Sequence, residues 1–257
     1  MDAFSRLWPR TVEYAVLAGM LCGMVSGYSC AAKSEIHEVV SDGGIKCRIT
    51  RWGDCRWRLE TADAAGQFHE RGAVQALASF MDEARPSPSD DIFDGTRIEI
   101  FSKPFAVRVF ASDGKMVQEI VSIVRNGDKI LVKGTLLEHE AVYGGGERFD
   151  NFNKRGTRFQ LFIEDGWNRS DTTYIAIPSF TTTRGGGFLV NAYETMTVDF
   201  GKTATGIWSV ELERETFDAF LFATSRQVYA IARSYELMGS GQAGTEPVAA
   251  PGRPTHR

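Results

Sequence analysis

Short runs that alternate apolar and polar residues dominate this chain. Ile45-Lys46-Cys47-Arg48-Ile49-Thr50 has a period of two, and Cys55-Arg56-Trp57-Arg58-Leu59-Glu60 repeats it. Successive side chains of a strand point to opposite faces, so such a run buries one face and wets the other. The signature recurs over residues 96–101, 105–110, 119–124 and 129–136, and further strands are expected over 158–162, 187–191, 195–200, 208–213 and 217–222. Turn residues separate the runs: Trp52-Gly53-Asp54, Ser112-Asp113-Gly114-Lys115 and Asn126-Gly127-Asp128. Asn-Gly between two alternating runs is a strong hairpin signal. Many short strands at regular spacing predict an all-β protein, an antiparallel β-sandwich.

Two helices are predicted at its periphery. Val74, Leu77, Ala78 and Met81 recur at helical spacing and suit a short helix over a sheet. Residues 85–91, Pro- and Ser-rich, read as a surface connection within one domain. Thr224 can cap a second helix with apolar positions Val228, Ile231, Ala232 and Tyr235, and Gly239 can stop it. Residues 240–257 are rich in Gly, Pro, Ala and Thr without periodicity, and are expected to be disordered.

Residues 1–32 read differently. Arg6 and Arg10 precede an uncharged apolar stretch over 15–25, followed by small residues up to Ala32. This order of regions suits a secretory signal, and the stretch is short for a bilayer-spanning helix. Ser29-Cys30 leaves a lipoprotein leader open, and an uncleaved anchor is the other reading. A secreted or periplasmic protein is the expectation. Within the folded part only Cys47 and Cys55 remain. A disulfide and two buried thiols are both open for them.

Charge excludes one class of partner. The net charge is −4 and no Lys/Arg run occurs, so the basic footprint of a nucleic-acid binder is missing. The four histidines are scattered and no Cys/His cluster has zinc spacing, so no metal or cofactor is expected. Tyr143-Gly144-Gly145-Gly146-Glu147-Arg148-Phe149 is glycine-rich, but it lacks the Gly-Lys-Ser/Thr end and the following helix of a phosphate loop. The glycines mark a sharp turn or a close backbone approach. Glu147 and Arg148 are expected to pair with each other or to cap this loop.

That segment resembles the Y-G-x-G-E-R-F stretch of glycoside hydrolase family 31, the family of α-glucosidases and α-xylosidases. The likeness continues in order: Phe101-Ser102-Lys103-Pro104-Phe105 with Asp113-Gly114-Lys115, then residues 177–191 around Arg184-Gly185-Gly186-Gly187, then residues 217–239. The resemblance covers roughly residues 45–239 and implies a galactose-mutarotase-like β-sandwich. After the leader read at 1–32, it implies a sandwich over 33–223 and a helix over 224–239 that in the family leads into a (β/α)₈ barrel. Residues 242–247 depart from the family's Pro-Pro-x-Trp barrel entry. The two carboxylates of retaining hydrolysis would lie in that barrel, so no catalytic residue is carried over and enzymatic activity of the chain is left open.

Phe162-Ile163-Glu164-Asp165 aligns with a W-N-x-D segment of the family, which places Asp165 against the sugar by resemblance. An ionised carboxylate accepts hydrogen bonds from two hydroxyls; the other reading of Asp165-Gly166 is a plain turn. Trp167 suits a sugar platform or a buried core position equally. The reading that follows is the N-terminal domain, or a truncated fragment, of a family 31 α-glycosidase that contacts α-linked glucosides or xylosides. Its rivals are a stand-alone carbohydrate-binding sandwich and an aldose epimerase. The epimerase would need His139-Glu140 as its acid and base.

Overall fold

In a computed structural model of the chain, the structure describes residues 35–51, 55–69, 95–161, 173–192 and 194–238. The expected leader at 1–32, turn at 52–54, helix at 74–81, loop at 85–91 and tail at 240–257 lie outside the described residues.

Strands are numbered along the chain. One sheet is built from β1 (Ile36–Val40), β2 (Lys46–Arg51), β3 (Arg56–Thr61), β8 (Val142–Gly144), β12 (Ser179–Thr182), β13 (Gly186–Val190) and β16 (Asp218–Ala223), in the order β1-β2-β3-β16-β13-β12-β8. The other holds β4 (Arg97–Ser102), β5 (Phe105–Phe110), β6 (Met116–Asn126), β7 (Lys129–Thr135), β10 (Arg158–Leu161), β14 (Met196–Phe200) and β15 (Ile207–Leu212), in the order β10-β14-β15-β7-β6-β5-β4. A small ribbon pairs β9 (Glu147–Arg148) with β11 (Thr173–Ile175). All pairings are antiparallel, as expected of the sandwich. The hairpin at Asn126 forms as predicted: Asn126 faces Lys129, and Gly127 takes a φ of 64° in the turn.

The core lies between the two sheets. Cys47, Ile49, Trp57 and Leu59 point inward from the first, and Val107, Val109, Ile120, Ile130, Val132, Val198 and Val210 from the second. At one end five aromatic rings join the sheets. Phe180 lies 5.0 Å from Phe200 and 5.4 Å from Phe188, Phe188 stacks on Trp208 at 4.8 Å, and Phe159 closes the group at 6.4 Å from Phe200. These separations are in the favoured range for aromatic pairs.

The helix, α1 (Gln227–Met238), ends one residue before the expected stop at Gly239. Its orientation is not the one that its apolar positions alone would suggest. Ala230 and Ser234 are the buried positions, whereas Val228 is 60% exposed and Ile231 and Ala232 are also exposed. The side chain of Tyr235 lies outside the described residues. Small residues win the sheet-facing side because α1 lies across β12, β13 and β16, where a larger stripe would hold the helix off. Thr224 does not cap the helix. Its hydroxyl lies 2.6 Å from the Gly185 carbonyl oxygen and ties the helix entry to β13.

Coverage by this helix accounts for strands without alternation. All six residues of β16, all five of β13 and all four of β12 are buried. On the outer face of the first sheet Arg58 donates to both carboxylate oxygens of Asp218 at 3.0 Å, and Asn191 Nδ2 donates to Oδ2 at 2.6 Å. Such a pair is a buried charge that its partners satisfy, and removal of one member leaves the other stranded.

No disulfide joins Cys47 and Cys55; both are buried thiols. They sit at opposite ends of one hairpin. Cys47 faces Thr61, and Cys55 lies beyond the Arg51–Trp57 pair four rungs away, a separation of more than about 13 Å at the rise of a strand. A bridge spans only about 4.4–6.8 Å between Cα atoms. Burial, with a smaller contribution from Asp42, pushes the Cys47 thiol up to about 12.

One buried side chain breaks the apolar rule. Gln118 pairs with Val109 on the core face of β6, is 5% exposed, and finds no protein partner for either amide atom. It borders a small cavity shared with Glu140, Thr182, Phe188 and Trp208. An unsatisfied buried amide costs about 1–3 kcal/mol, so Gln118→Met, nearly equal in shape, is expected to stabilise the sandwich by about 1 kcal/mol. Thermal or denaturant unfolding checks this, and a loss of stability would mean that an internal water holds the amide. Cys47 is expected to resist alkylation at neutral pH in the folded protein and to react once unfolded, as read by peptide mapping after iodoacetamide.

Candidate functional site

The glycine-rich segment is a crossing point laid over the aromatic end of the core. Gly144 ends β8 with a φ of 132°, and a Cβ there would fall 2.0 Å from the Ser179 carbonyl oxygen. The Gly145 amide donates to that oxygen at 3.1 Å, and a Cβ on Gly145 would meet the rings of Phe180 and Phe159 at 3.3 and 3.4 Å. The chain passes here because these positions carry no side chain. Strand β9 follows the loop, not a helix, and the Gly145 amide is committed to backbone. The arrangement is a turn, in agreement with the sequence reading.

Beyond the turn, inward and outward side chains interleave. Arg148 is 1% exposed at its side chain. Its Nε donates to Asp150 Oδ2 at 2.9 Å, its Nη1 donates to the Gln160 carbonyl at 3.2 Å, and its guanidinium lies 4.1 Å from the centroid of the Phe159 ring. Lys154, also buried, donates from Nζ to Asp150 Oδ1 and, at 2.7 Å, to the Asn151 carbonyl. The Lys154 amide is held by the Val142 carbonyl at 2.8 Å. Burial pushes the Asp150 carboxyl up, but the hydrogen bonds and charges of Lys154 and Arg148 together outweigh it and hold the group below the usual carboxylate range. Asp150 is therefore the shared anion of two buried cations. The expected Glu147–Arg148 pairing is replaced by Arg148–Asp150; Glu147 is exposed.

Phe149 and Phe152 point the other way, 62% and 82% exposed, and the Phe152 ring leans on Tyr143 at 4.9 Å. Sequence reasoning singled out the glycines but not Asp150. The available signal was the spacing Arg148-x-Asp150 with Lys154 four residues on, which a two-sided loop turns to one side.

Asp165 and Trp167 lie outside the described residues. The strands on either side of their segment are placed. β10 ends at Leu161 and β11 starts at Thr173, and Arg148 meets both, bonding to the Gln160 carbonyl and pairing with Thr173 in register. The acid–base pair an epimerase would need is not assembled. His139 is 94% exposed at its side chain, with Glu138 at 3.9 Å, whereas Glu140 is buried and faces Arg184 at 3.5 Å and the Leu137 amide at 2.8 Å. Among the described residues no group of three acidic, histidine or cysteine side chains is placed to hold a metal ion.

Residues 79–199 match the family model for the glycosyl hydrolase 31 N-terminal galactose mutarotase-like domain. The chain is 29% identical over 100 residues to an α-xylosidase of Emericella nidulans, covering 39% of this chain and 13% of that protein. It is 27% identical over 112 residues to an isomaltosyltransferase of Sporosarcina globispora, covering 37% and 10%. Among solved structures, a family 31 dextranase of Flavobacterium johnsoniae complexed with isomaltotriose superposes with a TM-score of 0.61 at 16% identity, over 79% of this chain and 27% of that one. A cycloalternan-forming enzyme of Listeria monocytogenes in complex with a pentasaccharide gives 0.59 at 16% identity, over 77% and 20%. At such identities the superpositions establish the fold, and the chain spans about a quarter or less of the length of these relatives. The sandwich topology and the glycine turn agree with the matching segment, and over residues 79–199 the chain is identified with the N-terminal galactose-mutarotase-like domain of glycoside hydrolase family 31.

Proposed function

We propose that this sandwich is the docking and substrate-shaping module of a family 31 α-glycosidase, and that a (β/α)₈ barrel packed against it performs the hydrolysis. The observation that carries this reading is the pair Phe149 and Phe152, held out into solvent from a loop whose other side is anchored by buried charge. Burial of one such ring is worth about 1.5–3 kcal/mol, so its exposure on a braced loop favours a partner surface. The outward apolar side of α1, with Val228 and Ile231, supports the same reading.

Chemistry is assigned to the partner because, among the described residues, the carboxylates set into the sandwich are otherwise engaged. Glu140 faces Arg184, Asp150 faces Arg148 and Lys154, and Asp218 faces Arg58. Retaining hydrolysis needs a nucleophile and a proton donor about 5–5.5 Å apart across one sugar bond, each free to react. In this proposal the sandwich contributes to the sugar pocket through Asp165 as hydroxyl acceptor and Trp167 as stacking face, with an α-linked glucoside or xyloside as the substrate class. The resemblance of residues 162–165 to the family segment supports the role of Asp165, and the names of the xylosidase and dextranase relatives support the substrate class. The leader read at residues 1–32 would deliver the module to an extracytoplasmic compartment.

Two outcomes are expected of the purified 257-residue chain. It should self-associate and bind a hydrophobic dye, and Phe149→Ser with Phe152→Ser should reduce both; light scattering over a concentration series decides, and a clean monomer with little dye binding would favour a stand-alone module. It should leave aryl α-glucosides and α-xylosides intact and bind isomaltose or xylose no tighter than about millimolar, because each net hydrogen bond adds only about 1 kcal/mol. Titration calorimetry reads the affinity; a micromolar value lost in Asp165→Ala would again point to a self-sufficient binding module.

A further inference from the structure

The loop that carries Phe149 and Phe152 is organised by charge, not by apolar packing. Along residues 148–154 the inward groups are Arg148, Asp150 and Lys154, and the outward groups are Phe149 and Phe152. Each inward group ties the loop to a different place. Arg148 reaches the carbonyl of Gln160 on β10 and lies over Phe159, while Lys154 hangs from the carbonyl of Val142 on β8. Asn153 adds a second tie to β8, its Oδ1 accepting from the Val142 amide at 3.1 Å. These ties come from opposite ends of the loop, and Asp150 is where they meet. One carboxylate oxygen takes Arg148 and the other takes Lys154.

We infer that Asp150 is a positioning residue: it clamps the two cations together and thereby presents Phe149 and Phe152 as a preformed aromatic anchor for the catalytic barrel. The inference rests on the docking reading for the identity of the partner, but not for the clamp itself. The physical reason is that a preordered side chain loses less freedom on association than one that must first be fixed. Without the carboxylate, two buried cations would share a site across a neutral group, and the cheapest relief is to swing the loop, with its lysine, into water. The fold of the two sheets does not need the loop closed, because their shared core is formed by other residues.

Limited chymotrypsin digestion of the folded chain tests this, with cleavage at Phe149 and Phe152 read by mass spectrometry and the melting temperature followed in parallel. Asp150→Asn is expected to raise cleavage at these two sites by about tenfold or more, since cleavage follows the population of the open loop, while the melting temperature of the sandwich changes little. Asp150→Asn combined with Lys154→Met removes the cation–cation clash and is expected to return cleavage toward the wild-type rate, a rescue that a generally loosened structure would not show. Should Asp150→Asn not fold, a folded and protected double variant supports the same clamp. Equal cleavage in wild type and Asp150→Asn, a double variant cleaved as fast as the single one, or a double variant that also fails to fold would each overturn it. Light scattering of the Phe149→Ser, Phe152→Ser protein tests the docking reading separately. An opened loop in Asp150→Asn with self-association indifferent to the two phenylalanines would overturn the anchor and leave only the clamp.

Discussion

The contact between the two sheets at their aromatic end supports most of what is distinctive here. Phe180 and Phe188 of one sheet and Phe159, Phe200 and Trp208 of the other form a single cluster. Its large rings set the spacing of the sheets, and spacing at this end decides how closely the chain after β8 can pass. Gly145 runs directly over Phe180 and Phe159, so a side chain there would collide with the core. The glycine turn is therefore a consequence of the core, and the direction in which β9 leaves is a consequence of the turn. Arg148 then lands on the outer ring of the same cluster, Phe159.

From that point the packing changes character. Apolar burial holds the sheets, whereas ion pairs hold the loop that departs from them. The two solutions suit different tasks. A hydrophobic contact is non-directional and tolerates sliding, but a carboxylate bonded to an arginine and a lysine fixes both neighbours at defined angles. The Arg58–Asp218–Asn191 group on the outer face of the first sheet uses the same chemistry to satisfy polar side chains beside Phe220. The shared core of the two sheets contains none of residues 148–154, so the two kinds of packing use different residues.

The strands with one wet face were legible in the sequence almost to their ends. β2, β3, β5, β7 and β15 lie within a residue or so of where alternation placed them. Of the strands covered on both faces, β13 and β16 lie within a residue of their expected places, but β12 was not foreseen. β12 has four buried residues of mixed polarity, Ser179, Phe180, Thr181 and Thr182, and nothing in their order signals a strand. β8 and β9 are too short, and β8 too rich in glycine, for any period to register. The helix was legible as a helix, but its orientation was not. Val228, Ile231 and Ala232 lie on its exposed side, and the space against the sheet admits Ala230 and Ser234.

By itself, the sequence determined the elements that local chemistry controls: strand periodicity, the turn at Gly127, the sharp passage at residues 144–146, and by resemblance the family of the fold. Only the tertiary structure decided which polar residues became partners. Arg148 has Glu147 beside it in the chain, yet its partner is Asp150, because a strand turns neighbours to opposite faces and returns the second residue to the same one. Cys47 and Cys55 are close in sequence and remain apart, because a hairpin sets them at its two ends. Pairing depends on where the backbone carries each side chain in space, and that path is set by the packing of the two sheets, a property of the whole chain that no short stretch of it contains.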